Sequence, residues 1–146
     1  MASLLTLTFS QPTRSLAPGE ILITEGAKGG DLYVLETGKL TVERDGVTIA
    51  SIAEPGALIG EMSVLNGTPN TATVRATTAA SVRVVKDALA FLERQPAVAL
   101  RVATLLSRRL DATSALLAEL KHEKGPAADQ SAFARLMTSL FTPSKD

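Results

Sequence analysis

From Thr13 to about Val85 the chain is a series of short apolar segments punctuated by glycine, and this punctuation constrains the fold more than any other feature. The segments between turns are rich in β-branched residues and too short for helices. Strands are read at Leu16, Glu20–Ile23, Asp31–Leu35, Lys39–Arg44, Val47–Ile52, Ala57–Ile59, Ala72–Ala76 and Ser81–Val85. Asp45-Gly46 between Val42 and Val47 is a hairpin signal, because a two-residue type I′ turn needs positive φ at both central residues. Many short strands at this spacing predict a sandwich, barrel or jelly roll.

Helices follow the strands. Asp87 is placed to cap a helix over Ala88–Arg94. Pro96 suits the first turn of a second, long helix reaching about Glu123, with Gly125-Pro126 as its stop. On that helix Ala99, Ala103, Leu106, Leu110, Thr113, Leu117 and Leu120 recur in alternating steps of four and three. This is a heptad seam, which fits a parallel helix pair in a homodimer; packing on the chain's own strands is the alternative. Leu100, Leu105 and Leu116 lie off the seam, where they would face the strands. Leu4, Leu5, Leu7 and Phe9 suit a short N-terminal arm.

Composition narrows the functional classes. Lys and Arg number 15, Asp and Glu 15, so a nucleic-acid binder relying on net positive charge is disfavoured. Aromatic residues make up only 3% of the chain against 45% apolar, so the core must be aliphatic. Cysteine is absent, which is compatible with a cytoplasmic location, and no apolar run approaches a membrane span. The single histidine, His122, suits the negative end of the long helix and needs no other role. No zinc cluster, catalytic triad or Gly-Lys-Ser/Thr phosphate loop is present. The reading is a binding module, not an enzyme, with no metal and no cofactor.

The stretch Gly60–Ala76 stands apart from the strands around it. Met62, Val64 and Leu65 suit one helical turn after Gly60, Asn66-Gly67-Thr68-Pro69 is a dense turn signal, and strand resumes near Ala72. A short helix starting after a glycine presents backbone N–H groups suited to an anion, and Thr71 adds a hydroxyl. A plain strand–turn–strand connection is the competing reading of the same residues.

Gly60-Glu61, Leu65, Gly67-Thr68-Pro69 and Ala72-Thr73-Val74, in that spacing, resemble the phosphate-binding cassette of the cyclic nucleotide-binding domain family. Pro18-Gly19-Glu20, Glu25-Gly26, Gly30-Asp31-x-Tyr33-Val34-Leu35, Gly38-x-Leu40-x-Val42 and Pro55-Gly56 match in order as well. The resemblance runs from Leu16 to about Leu117. It implies an α+β fold, an eight-stranded β-roll (a double-stranded β-helix or jelly roll) with flanking helices and a long C-terminal helix. It places one domain over residues 1–124, with the roll about 13–85 and helices about 87–124, followed by a linker and tail at 125–146.

The resemblance also implies a ligand, cyclic AMP or cyclic GMP, held by Gly60, Glu61, Met62, Ser63, Asn70 and Thr71. Glu61 would take the ribose hydroxyl and the helix N–H groups the cyclic phosphate. Arg108-Arg109-Leu110-x-x-Thr113-Ser114 is similar to a segment of catabolite activator proteins, where the matching arginine pairs with the cassette glutamate and the hydroxyls reach the base. That carries Arg109, Thr113 and Ser114 into the site; a solvated arginine and a tolerated polar seam residue are the alternative. The chain departs from the family at one place: Asn70 stands where the family has an arginine that pairs with the phosphate.

After Gly125-Pro126-Ala127-Ala128, Asp129 suits the cap of a tail helix whose Phe133, Leu136, Met137, Leu140 and Phe141 form an apolar stripe. It would pack on its own domain or, over 129–143, dock a protein partner. The residues after Glu123 leave no room for a helix-turn-helix, so no DNA-binding domain is expected. The functional expectation is a stand-alone cyclic nucleotide sensor that signals to a partner through its C-terminal helices. A ligand-free dimerisation or interaction module of the same fold is the alternative.

Overall fold

The computed structural model describes residues 2–124 and Thr138. The elements run α1 (Leu4–Leu7), β1 (Thr13–Leu16), β2 (Ile21–Ile23), β3 (Leu32–Thr37), β4 (Leu40–Arg44), β5 (Val47–Ile52), β6 (Leu58–Ile59), α2 (Glu61–Asn66), β7 (Thr73–Ala76), β8 (Ala80–Val85), α3 (Ala88–Arg94) and α4 (Pro96–Lys124). Two compact units are formed, one up to Val102 and one from Ala103 onward.

In the first unit eight strands make two antiparallel four-stranded sheets, ordered β1-β8-β3-β6 and β2-β7-β4-β5. This is the expected β-roll. Apart from the β4–β5 hairpin, consecutive strands pass between the sheets, and each sheet buries one face against the other. The alternation is plain in β7 and β8, where Val74, Ala76, Ala80 and Val82 point inward between more exposed neighbours. Leu16, Leu22, Ile23, Leu35, Leu40 and Ile59 complete a core made of aliphatic side chains, with Tyr33 packed at its margin. The Asp45-Gly46 turn forms as read: Asp45 has φ 51° and Gly46 φ 76°, and Arg44 lies opposite Val47 in register.

The ends of the unit differ from expectation. The N-terminal arm is a single helical turn capped by Ser3, with Leu4 buried but Phe9 exposed, so Phe9 does not pack. Asp87 occupies the position before α3 but makes no side-chain cap; its φ is 47°. The reason is its left-handed backbone, with ψ 58°, where a capping residue is extended; the loop before β3 bonds this segment instead. Asp31 Oδ1 accepts from the Asp87 N–H at 3.2 Å and the Gly30 carbonyl accepts from the Ala88 N–H at 2.9 Å. On α4, Leu100 is exposed instead of facing the strands; within the first unit Val98 and Val102 are the buried positions of that helix.

In the second unit, α4 carries the seam residues. Ala103, Leu110, Thr113 and Leu120 are exposed, and Leu106 and Leu117 are half-buried. The linker and tail-helix reading at 125–146 falls outside the described residues.

Candidate functional site: the cassette

Gly60 ends β6 and turns the chain into α2 with φ 88°. An L-residue there pays about 1–2 kcal/mol for the left-handed conformation. It would also place a Cβ 2.8 Å from the Asp31 carbonyl oxygen and 3.7 Å from the Tyr33 ring. The glycine is therefore required both for the turn and for close packing on β3. The six residues of α2 end at Gly67, whose N–H donates to the Ser63 carbonyl. The helix reading, rather than the plain turn, is the one that forms.

Within α2, Glu61 and Ser63 are buried, with 7% and 6% of their surface exposed, whereas Met62 is open to solvent. Burial of a carboxylate costs free energy unless polar groups meet it. Ser63 is engaged locally: its hydroxyl donates to the Gly60 carbonyl at 3.1 Å. The Thr71 hydroxyl lies against Met62, with its Oγ1 3.8 Å from Sδ. Gly60, Glu61, Met62, Ser63 and Thr71 thus form one local cluster. Arg109, Thr113 and Ser114 are on α4 in the second unit, where the Ser114 hydroxyl donates to the Asp111 carbonyl at 3.0 Å.

Asn70 is tied to the loop between β2 and β3, residues 24–31. Its side-chain Nδ2 donates to the Thr24 carbonyl at 3.2 Å. Its backbone N–H donates to the Ala27 carbonyl at 2.9 Å, and its carbonyl accepts from the Gly26 N–H at 2.8 Å. Gly29 of the same loop presses on both halves of the cassette. A Cβ at 29 would overlap the Ser63 side chain and stand 2.8 Å from Asn70 Oδ1. Thr24, Ala27 and Gly29 were invisible as site residues in the sequence, where the glycines read only as turns. The small pair Gly29-Gly30 was the signal of close approach.

Arg75, the nearest arginine along the strand, does not reach back to the cassette. It pairs with Glu43 at 3.5 Å and donates to the Gly19 carbonyl at 3.1 Å. The Tyr33 phenol is raised above its ordinary pKa, chiefly by burial, with the Asp31 charge adding and Arg14 opposing. Among the described residues no group of three or more His, Asp or Glu side chains is placed to hold a metal ion. No helix among them is long and apolar enough to cross a membrane.

The roll is interrupted between β6 and β7 by this short, glycine-bounded helix. Residues 13–95 match the family described as the cyclic nucleotide-binding domain, and the chain belongs to that family. It is similar to Glutaminase 2 of Bradyrhizobium diazoefficiens, 34% identical over 109 residues, which cover 70% of this chain and 17% of that protein. It is similar to a cAMP-dependent protein kinase regulatory subunit of Yarrowia lipolytica, 39% identical over 59 residues, 40% of this chain and 16% of the relative. The chain therefore spans less than a fifth of the length of these curated relatives. Among solved structures, the Thermus thermophilus catabolite activator protein superposes with a TM-score of 0.66 and 31% identity, covering 80% of this chain and 58% of that one.

Proposed function

We propose that this chain is a regulatory module that binds cyclic AMP or cyclic GMP weakly at the cassette and passes the signal through its C-terminal helices. The carrying observation is the conformation of Gly60–Thr71: a left-handed glycine, a short helix with a buried Glu61, and the Thr71 hydroxyl beside its first turn. In this reading the cyclic phosphate rests on α2 backbone N–H groups and on Thr71, and the ribose hydroxyl on Glu61. Arg109 orients Glu61, while Thr113 and Ser114 reach the base, and the seam Ala103, Leu106, Leu110, Thr113, Leu117 and Leu120 joins two copies. The module acts in the cytoplasm by binding and has no catalytic role.

Weak binding follows from Asn70. An amide cannot replace a bidentate arginine, and losing a charge-assisted hydrogen bond of about 1.5–3 kcal/mol weakens binding roughly 10- to 150-fold. A second reading is favoured by the same residue: because Asn70 is bonded to Thr24, the cassette is braced by the protein itself, which suits a ligand-free interaction module. A melting curve with and without millimolar cyclic nucleotide separates the two. Ligand at about 100 times its dissociation constant adds about 2.7 kcal/mol, and no shift with either nucleotide sinks the sensor reading.

A further inference from the structure

A cavity of about 540 Å3 lies within the first unit on the side of α2 that faces the β2–β3 loop and the start of α3. Of the cassette's ligand set only Ser63 lines it, beside Gly67, Thr68 and Pro69; Gly60, Glu61, Met62, Asn70 and Thr71 do not. Val64, Pro69 and Leu89 give it an apolar wall, and Leu89 is half exposed. Its volume falls in the range of small-molecule sites.

Two charges line the same cavity. Lys28 is exposed on the loop and Asp87 is exposed at the foot of α3. They do not pair with each other, and neither joins any ion pair of the described residues. The Asp87 side chain also makes no helix cap, so its carboxylate is available. A cation and an anion that line one partly apolar cavity without pairing match a molecule carrying both charges and an apolar body. We propose that this cavity binds a small zwitterion of amino-acid type. The ligand's carboxylate meets Lys28, its ammonium meets Asp87, and its side chain lies on Val64, Pro69 and Leu89. A phosphate alone would satisfy Lys28 but be repelled by Asp87, and a simple amine the reverse. The Thr68 hydroxyl adds a neutral donor and acceptor at the same wall.

The test is a nitrogen-15 NMR titration of the full chain with L-leucine, N-acetyl-L-leucine and L-leucinamide. Leucine is expected to shift the Gly29, Gly30 and Thr68 amides saturably. The acetylated and amidated forms, each lacking one charge, are expected to bind about tenfold more weakly or worse. Asp87→Asn, which keeps a residue that tolerates positive φ, should remove the discrimination against N-acetyl-leucine alone. Lys28→Ala on the exposed loop should remove the discrimination against leucinamide alone. Absence of saturable shifts with leucine, equal binding of all three compounds, or shifts confined to Met62 and Thr71 would overturn the proposal. Cyclic AMP titrated in parallel reports on Met62 and Thr71, so the cassette reading stands or falls separately.

Discussion

The side chain of Asn70 is bonded to the Thr24 carbonyl, 46 positions earlier in the chain, at 3.2 Å. Asn70 is therefore a structural brace between the cassette and the β2–β3 loop. Its replacement touches ligand affinity and stability at once.

Asn70→Arg should tighten cyclic nucleotide binding by about tenfold or more, because a charge-assisted contact returns to the phosphate. The same change removes the amide donor to Thr24 and should lower stability by about 0.5–1.5 kcal/mol. Thr71→Val in that background should weaken binding again by removing one hydroxyl. Calorimetry and denaturant melts on the three proteins check this; affinity unchanged in Asn70→Arg would show that the cassette no longer forms a phosphate site.

Gly60→Ala should destabilise the protein by about 2–4 kcal/mol, combining a left-handed alanine with overpacking against the Asp31 carbonyl and Tyr33. Thermal unfolding measures it. A loss below about 0.5 kcal/mol would mean that the β6–α2 turn has an alternative conformation.

Leu110→Lys with Leu117→Lys should leave the β-roll folded and give a monomer by light scattering. Two lysines buried in a helix seam would lack partners and oppose pairing. A wild-type protein that is already monomeric at high concentration rules out the seam as an interface.

Tyr33 makes stability fall at alkaline pH. In the unfolded chain its phenol ionises near pH ~10, whereas in the fold burial holds the proton to higher pH. Above pH ~10 the unfolded state binds fewer protons than the folded one, so stability declines as pH rises through that window and is intact below it. The stability of the native protein relative to Tyr33→Phe should therefore be constant at neutral pH and shrink above pH ~10. Urea titrations across the range read it out; a difference that stays flat would show that Tyr33 is as well solvated folded as unfolded.

Local chemistry determined much of this protein. The aliphatic alternation of strands such as Thr73–Ala76, the Asp45-Gly46 turn and the glycines that bound α2 each act over a few residues, so each was legible in the sequence. The short helix after Gly60 was legible for the same reason, and with its flanking turn it brings Gly60–Ser63 and Thr71 together. What only the tertiary structure decided depends on contacts between segments far apart in the chain. Asp87 reads as a helix cap from its neighbours, but its backbone is left-handed and does not cap, with the Asp87 and Ala88 N–H groups bonded to the distant Asp31 carboxylate and Gly30 carbonyl. Leu100 reads as a packing residue by spacing, but the helix buries Val98 and Val102 instead, because the rotation of a helix on its neighbour is set by the shape it meets. Asn70 reads as the loss of a charge; the fold alone turns it into a brace, since hydrogen-bond partners are chosen by proximity in space and not along the chain.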